Sequence, residues 1–190
     1  GLEIHPGTPF FYDQQIREMQ SERSELEREL YLQALHKTAS MSLIQYEVSN
    51  FAKADFQSRS NLKVWDGQPY LGLGCGAHSF DGVNRWGNVR SMRKYMESVG
   101  REEPPRDFME TPTRLQQASE RLMLSLRRPE GLNILSWQEE FQIGLSLEQK
   151  NQMEKLKDQD LVSWESPILK LTTEGMLLAD AITAELMPEA

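Results

Sequence analysis

Cysteine is almost missing from this sequence: Cys75 stands alone among 190 residues. An internal disulfide is therefore excluded, and so is a zinc or iron–sulfur site built from several cysteines of this chain. Positive charge is also scarce, with 21 Lys and Arg against 29 Asp and Glu. That balance argues against nucleic acid or an anionic membrane surface as partner. No apolar run approaches the roughly 20 residues needed to span a bilayer, and no basic, apolar leader opens the chain, so a cytoplasmic protein is expected. The 38% of hydrophobic residues suffices for one domain or two small ones.

Glycine is concentrated in one short run. Tyr70-Leu-Gly-Leu-Gly-Cys-Gly-Ala-His-Ser79 places Gly72, Gly74 and Gly76 at alternate positions. Read as a strand, it has one face without side chains, and such a face is expected to admit a flat or large ligand, or another backbone.

The first hundred residues have an α/β pattern. Leu2-Glu-Ile-His5 reads as the end of a strand before the turn Pro6-Gly-Thr-Pro9, which suggests the C-terminal part of something longer. Ser24 and Glu27 form a capping box, after which Leu26, Leu30 and Ala34 recur at helical spacing to about Ala39. Leu43-Ile-Gln-Tyr-Glu-Val48 reads as a second strand. Strand, helix, strand makes a parallel βαβ unit, whose functional atoms collect at strand C-terminal ends, here near His5 and Asn50. Residues 53–69 read as a polar loop and residues 70–89 as a hairpin turning at Asp81-Gly82. Ser91 caps a short helix to Val99, and residues 101–110, with Pro104-Pro105, read as a linker.

Residues 111–190 form a second unit. Thr111-Pro112 reads as a helix start, with Leu115, Ala118, Leu122 and Leu126 on one face. A helix over about 134–142 ends at Gly144, and Ser146 caps a third that carries Leu147, Met153 and Leu156. A hairpin follows, 161–164 and 168–171 about Ser166-Pro167, and Thr172 or Thr173 caps a last helix to Leu186. This order is that of a winged helix. Eight Lys and Arg against thirteen Asp and Glu in the unit argue against DNA and for a packing or lid domain.

Taken in order, Pro6-Gly-Thr8, Tyr46-Glu-Val-Ser-Asn-Phe-Ala52, the glycine run, Arg85-Trp-Gly-Asn-Val-Arg90 and Leu171-Thr-Thr-Glu-Gly-Met-Leu-Leu-Ala-Asp180 resemble the C-terminal half of the HemW and HemN-like branch of the radical SAM family. The resemblance implies a partial (β/α)6 barrel, residues 1–100 supplying its end and a β-hairpin, then a winged-helix-like C-terminal domain over 111–190. It also implies S-adenosyl-L-methionine and a [4Fe-4S] cluster held by a CxxxCxxC loop. That loop is absent from this sequence, so the chain by itself is expected to be inactive in radical chemistry. The expected role is haem trafficking, with a tetrapyrrole (haem or coproporphyrinogen) and a haem-receiving protein as partners. The alternatives are an oxygen-independent coproporphyrinogen III oxidase and an interaction module without a cofactor.

The sequence departs from the family pattern at His5 and Cys75, where relatives carry Glu and Pro. It departs also in Ser60-Asn-Leu-Lys-Val-Trp65, where a haem-associated His-Asn-x-x-Tyr-Trp motif is expected; Ser60 and Val64 replace the His and Tyr. Ser60 cannot ligate iron as imidazole does. The candidates for cofactor contact are Glu3, Ile4, Asn50, Gly72, Gly74, Gly76, Ala77, His78 and Ser79, and for haem His78, Cys75, Asn61 and Trp65, with no metal set. His78 faces a ligand or is bonded to a hairpin carbonyl; the residues leave both open. Cys75 reads as a small buried hydrophobe or an axial thiol, His36 as solvent-facing, and Trp65 and Trp86 as packing or stacking aromatics.

Overall fold

The computed structural model describes residues 14–188, with side chains from residue 25 onward. The strand and turn expected over residues 2–9, and with them Glu3, Ile4 and His5, lie outside the described residues. The chain divides into two compact units, Gly1–Gln45 with Ser49–Phe56, and Tyr46–Val48 with Gln57–Ala190.

In the first unit a 27-residue helix α1, Gln14–Ser40, precedes β1 (Ile44–Gln45) and β2 (Phe51–Ala52). Its Glu, Gln, Arg and Leu residues are good helix formers, so the helix runs through residues 24–27, where a start was expected. The expected stripe is displaced as well: Leu26 and Leu30 are each 54% exposed. Half-buried Arg28, Tyr31, Leu32, Leu35 and Thr38 mark the packed face instead. The Tyr31 hydroxyl accepts a hydrogen bond from Gln45 Nε2 at 2.8 Å, tying α1 to β1. The strand expected over 43–48 shrinks to two residues and pairs antiparallel with β2, Ile44 opposite Ala52. His36 is exposed, as expected.

The second unit begins with α2, Arg59–Trp65, where a structureless loop was expected. Ser58 starts it by accepting from the Asn61 amide. The strands β3 (His78–Phe80) and β4 (Arg85–Asn88), the helix α3 (Met92–Gly100) and the strand β5 (Arg106–Glu110) follow. The sheet order is β3-β4-β5, antiparallel throughout. Two expectations are corrected here. The hairpin covers residues 78–88 and turns through four residues, because the Asp81 carboxylate accepts from the amides of both Val83 and Asn84. Residues 106–110, read as connector, form the third strand of the sheet.

The chain continues through α4 (Arg114–Leu126), β6 (Leu132–Asn133), α5 (Ile134–Phe141), α6 (Leu147–Asp158), β7 (Val162–Glu165), β8 (Ile168–Leu171), α7 (Thr173–Leu177) and α8 (Ala179–Leu186). Thr113, with Gln116, caps α4, two residues after the expected Thr111. Gln142, at φ 53°, ends α5 before Gly144 is reached. The last helix is broken at Leu178 into α7 and α8. Strands β6, β8 and β7 form a small sheet in that order.

Ala118, Leu122 and Leu126 of α4 meet Trp137, Met153, Leu156, Leu169 and Ile182 in the core, each no more than 3% exposed. Each of the larger side chains contributes about 1.5–3 kcal/mol by burial. Trp137 also donates to the Ala118 carbonyl at 3.0 Å, so its one polar atom is satisfied. Of the three apolar residues read on α6, Met153 and Leu156 are buried and Leu147 is 74% exposed.

Candidate functional site

The glycine run is a loop held to the end of the sheet, so the expected strand with one bare face is not formed. Only Tyr70 bridges to Phe80. Gly74 and Gly76 take φ values of 104° and 69°, which strands do not use. Five hydrogen bonds set the loop. The Gly72 amide donates to Ser79 Oγ at 2.9 Å, the Gly74 amide to the Tyr95 hydroxyl at 3.1 Å, and the Gly76 amide to the Val89 carbonyl at 3.0 Å. Asn88 Nδ2 donates to the Gly74 carbonyl at 2.9 Å and, more weakly, to that of Gly72 at 3.4 Å.

Ser79 and Asn88, the buried members of this network, are thereby spent on holding the loop. Gly72 is glycine because another backbone passes close: a β-carbon there would lie 2.1 Å from the His78 carbonyl oxygen. At Gly74 the space is open. Of the two reasons for a bare face, Gly72 thus serves backbone approach, while Gly74 and Gly76 serve the turn. Ala77 joins the network through its carbonyl, which accepts from the Asn88 amide. Cys75, at the loop's tip, is half-buried and free. Asn88 and Tyr95 were not singled out from the sequence, although Asn88 lies inside the Arg85-Trp-Gly-Asn-Val-Arg90 motif.

His78 belongs to the opposite face from Ser79, since neighbours in a strand alternate. The register places His78 opposite Gly87, and Gly87 opposite Phe108. With no side chain on Gly87, the two rings meet across β4, edge to face at 5.5 Å. The His78 imidazole is exposed, and neither ring nitrogen makes a hydrogen bond with another described residue. The alternative of a histidine bonded to a hairpin carbonyl is not what forms.

Farther along the same face stand Phe80, Arg85 and Glu110. Arg85 bonds Glu110 at 2.5 Å through Nε and Glu120 of α4 through Nη1, which ties α4 to this end of the sheet. Partial burial works against the Arg85 charge, but the hydrogen bond it donates to Glu110 and the field of Glu120 outweigh that effect and hold the guanidinium above its ordinary pKa.

The other candidates stand apart. Asn61 Oδ1 accepts from the Ser58 hydroxyl and so serves the cap of α2, and Trp65, half-buried, is the last residue of that helix. Trp86, on the Ser79 face, is covered by the Arg106 guanidinium at 4.8 Å from its ring centre. Asn50 is exposed in the turn before β2, and Glu47 is buried at 2% exposure. Among the described residues no three His, Cys, Asp or Glu side chains gather as a metal site would require, and no helix is long and apolar enough to cross a membrane.

Several known proteins are similar to this chain. Over 99% of the chain it is 29% identical to the heme chaperone HemW of Bacillus subtilis, of which it covers 50%. The heme chaperone HemW of Mycobacterium tuberculosis is 31% identical over 75% of the chain, which covers 34% of that protein. Radical S-adenosyl methionine domain-containing protein 1, mitochondrial, of Danio rerio is 27% identical over 99% of the chain, which covers 45% of it. The chain thus spans half or less of the length of these relatives. In structure it resembles the radical SAM enzyme coproporphyrinogen III oxidase, HemN, of Escherichia coli, with a TM-score of 0.67 over 82% of this chain and 39% of that one, at 15% identity. No family model matches the chain.

Proposed function

As a homologue of proteins named heme chaperone HemW and of radical SAM domain proteins, this chain is, we propose, the C-terminal part of a HemW-like protein that carries haem as its cargo. The observation that carries this reading is the His78 imidazole, exposed, free of hydrogen bonds to other described residues and flanked by an aromatic ring over a bare glycine. A tetrapyrrole supplies four of its metal's ligands itself and asks the protein for one or two axial donors. A surface without a three-ligand cluster but with one free imidazole beside Phe108 meets that need.

The radical SAM fold neighbour supports reading residues 1–100 as the end of a partial barrel with a β-hairpin, and the element order from α4 to α8 supports a winged-helix-like domain over 111–190. A [4Fe-4S] cluster open to S-adenosyl-L-methionine needs three thiolates, and Cys75 alone does not fit that requirement. The three thiolates of such a cluster would therefore have to come from outside this sequence.

Absorbance titration with haem tests the reading. The expected result is a histidine-type spectrum that is lost in His78→Ala and kept in Cys75→Ala. A spectrum indifferent to His78→Ala overturns His78 as the ligand, and one abolished by Cys75→Ala moves the ligand to the thiol.

A further inference from the structure

Between α2, α4 and the His78 face of the sheet runs a groove of about 260 Å³, walled by Val64, Tyr70, Phe80, Met123 and Leu124. Its polar lining is Gln68 and the charged pair Arg85 and Glu120. We propose that this groove receives the edge of the tetrapyrrole that bears no propionates, while His78 ligates the iron from the open end of the same face. The inference rests on the haem reading above.

Three observations support it. Phe80 follows His78 by two residues on one face, a step of about 7 Å, and a macrocycle centred over His78 is wide enough to overhang it. The volume decides how much enters, because pockets that enclose a whole ligand run from about 300 to 1,000 Å³. A groove below that range takes one edge.

Charge decides which edge. Arg85 carries a single positive charge between Glu110 and Glu120, so the cluster is negative on balance. A propionate entering there would lose water and meet repulsion. A methyl and vinyl edge meets the apolar walls instead, with Met123 a side chain that adapts to an irregular shape. The propionates then remain toward solvent.

The probes are ferric protoporphyrin IX and ferric deuteroporphyrin, which has hydrogens where the former has vinyl groups. The protein should bind the first at least about tenfold more tightly, as expected from the apolar carbons buried. Val64→Trp, at a position 37% exposed where a larger side chain leaves the core untouched, fills the groove mouth. It should weaken protoporphyrin binding by about tenfold, narrow the preference, and leave the His78 spectrum unchanged. Equal affinity of the unsubstituted protein for the two porphyrins, or no effect of Val64→Trp, overturns the groove assignment while the haem reading stands. Loss on Val64→Trp with indifference to His78→Ala keeps the groove and removes the ligand. A protein that binds neither porphyrin removes both.

Discussion

The ring of Phe108 occupies the place a side chain on Gly87 would take: its Cε1 lies 2.5 Å from where a β-carbon would stand. Gly87→Ala should therefore displace the ring and cost about 1–3 kcal/mol by overpacking. The same substitution in a Phe108→Ala background should cost much less. A double-mutant cycle by urea unfolding reads the coupling, and additive costs would show that the two do not share this space.

The three loop glycines should not be equivalent. A β-carbon at Gly72 would strike the His78 carbonyl at 2.1 Å, so Gly72→Ala should be the most destabilising of the set. Gly74→Ala has room but, at φ 104°, pays conformational strain. Gly76→Asn, at φ 69° in the left-handed region that Asn tolerates, should be the mildest. Branched residues at Gly74 or Gly76 would harm folding as well as any binding. Denaturation midpoints of the three variants check the order.

Asn88→Ala removes a buried donor from two carbonyls and should cost about 1–3 kcal/mol. Tyr95→Phe removes only the hydroxyl that accepts from the Gly74 amide. It should leave the fold nearly as stable while hydrogen exchange at Gly74 becomes faster. Unaltered exchange there would mean that the hydroxyl does not restrain the loop.

Asp81 should titrate below the ordinary carboxylate range, because the Asn84 amide and then the Val83 amide donate to it. A carboxyl whose pKa is lowered on folding adds stability above its unfolded pKa and loses that stability as the pH falls through its folded one. Carboxyl-carbon NMR titration should show Asp81 remaining ionised to lower pH than exposed aspartates without such donors. A midpoint among those others would contradict the turn geometry.

Signals that act over a few residues were readable in the sequence. Ser91 and Ser146 cap their helices as expected, and the hairpin about Ser166-Pro167 forms. Ala118, Leu122 and Leu126 are the buried face of α4. Pairing between distant strands was not readable, and β5 shows why. Its five residues are all exposed, so no alternation of apolar and polar residues marks Arg106–Glu110 as a strand. The glycine run misled for a related reason. Alternate glycines suit a strand facing a ligand and a loop of positive φ equally well, and only Ser79, Asn88 and Tyr95, three partners from separate elements, decide between them. His78 and Phe108 are 30 residues apart, and their meeting depends on a register that no local pattern announces.

Strand β5 stands at the border of its sheet, with Arg106, Asp107 and Glu110 along it and an irregularity in register against β4 at Gly87 and Asn88. An unpaired border strand is a template on which another chain can polymerise, and charges and bulges are what discourage it. Phe108 and Met109 lie in the middle of that border, 41% and 51% exposed. The ring that flanks His78 is thus carried on the segment where self-association would begin, and the charged residues around it are of the kind that discourage such pairing.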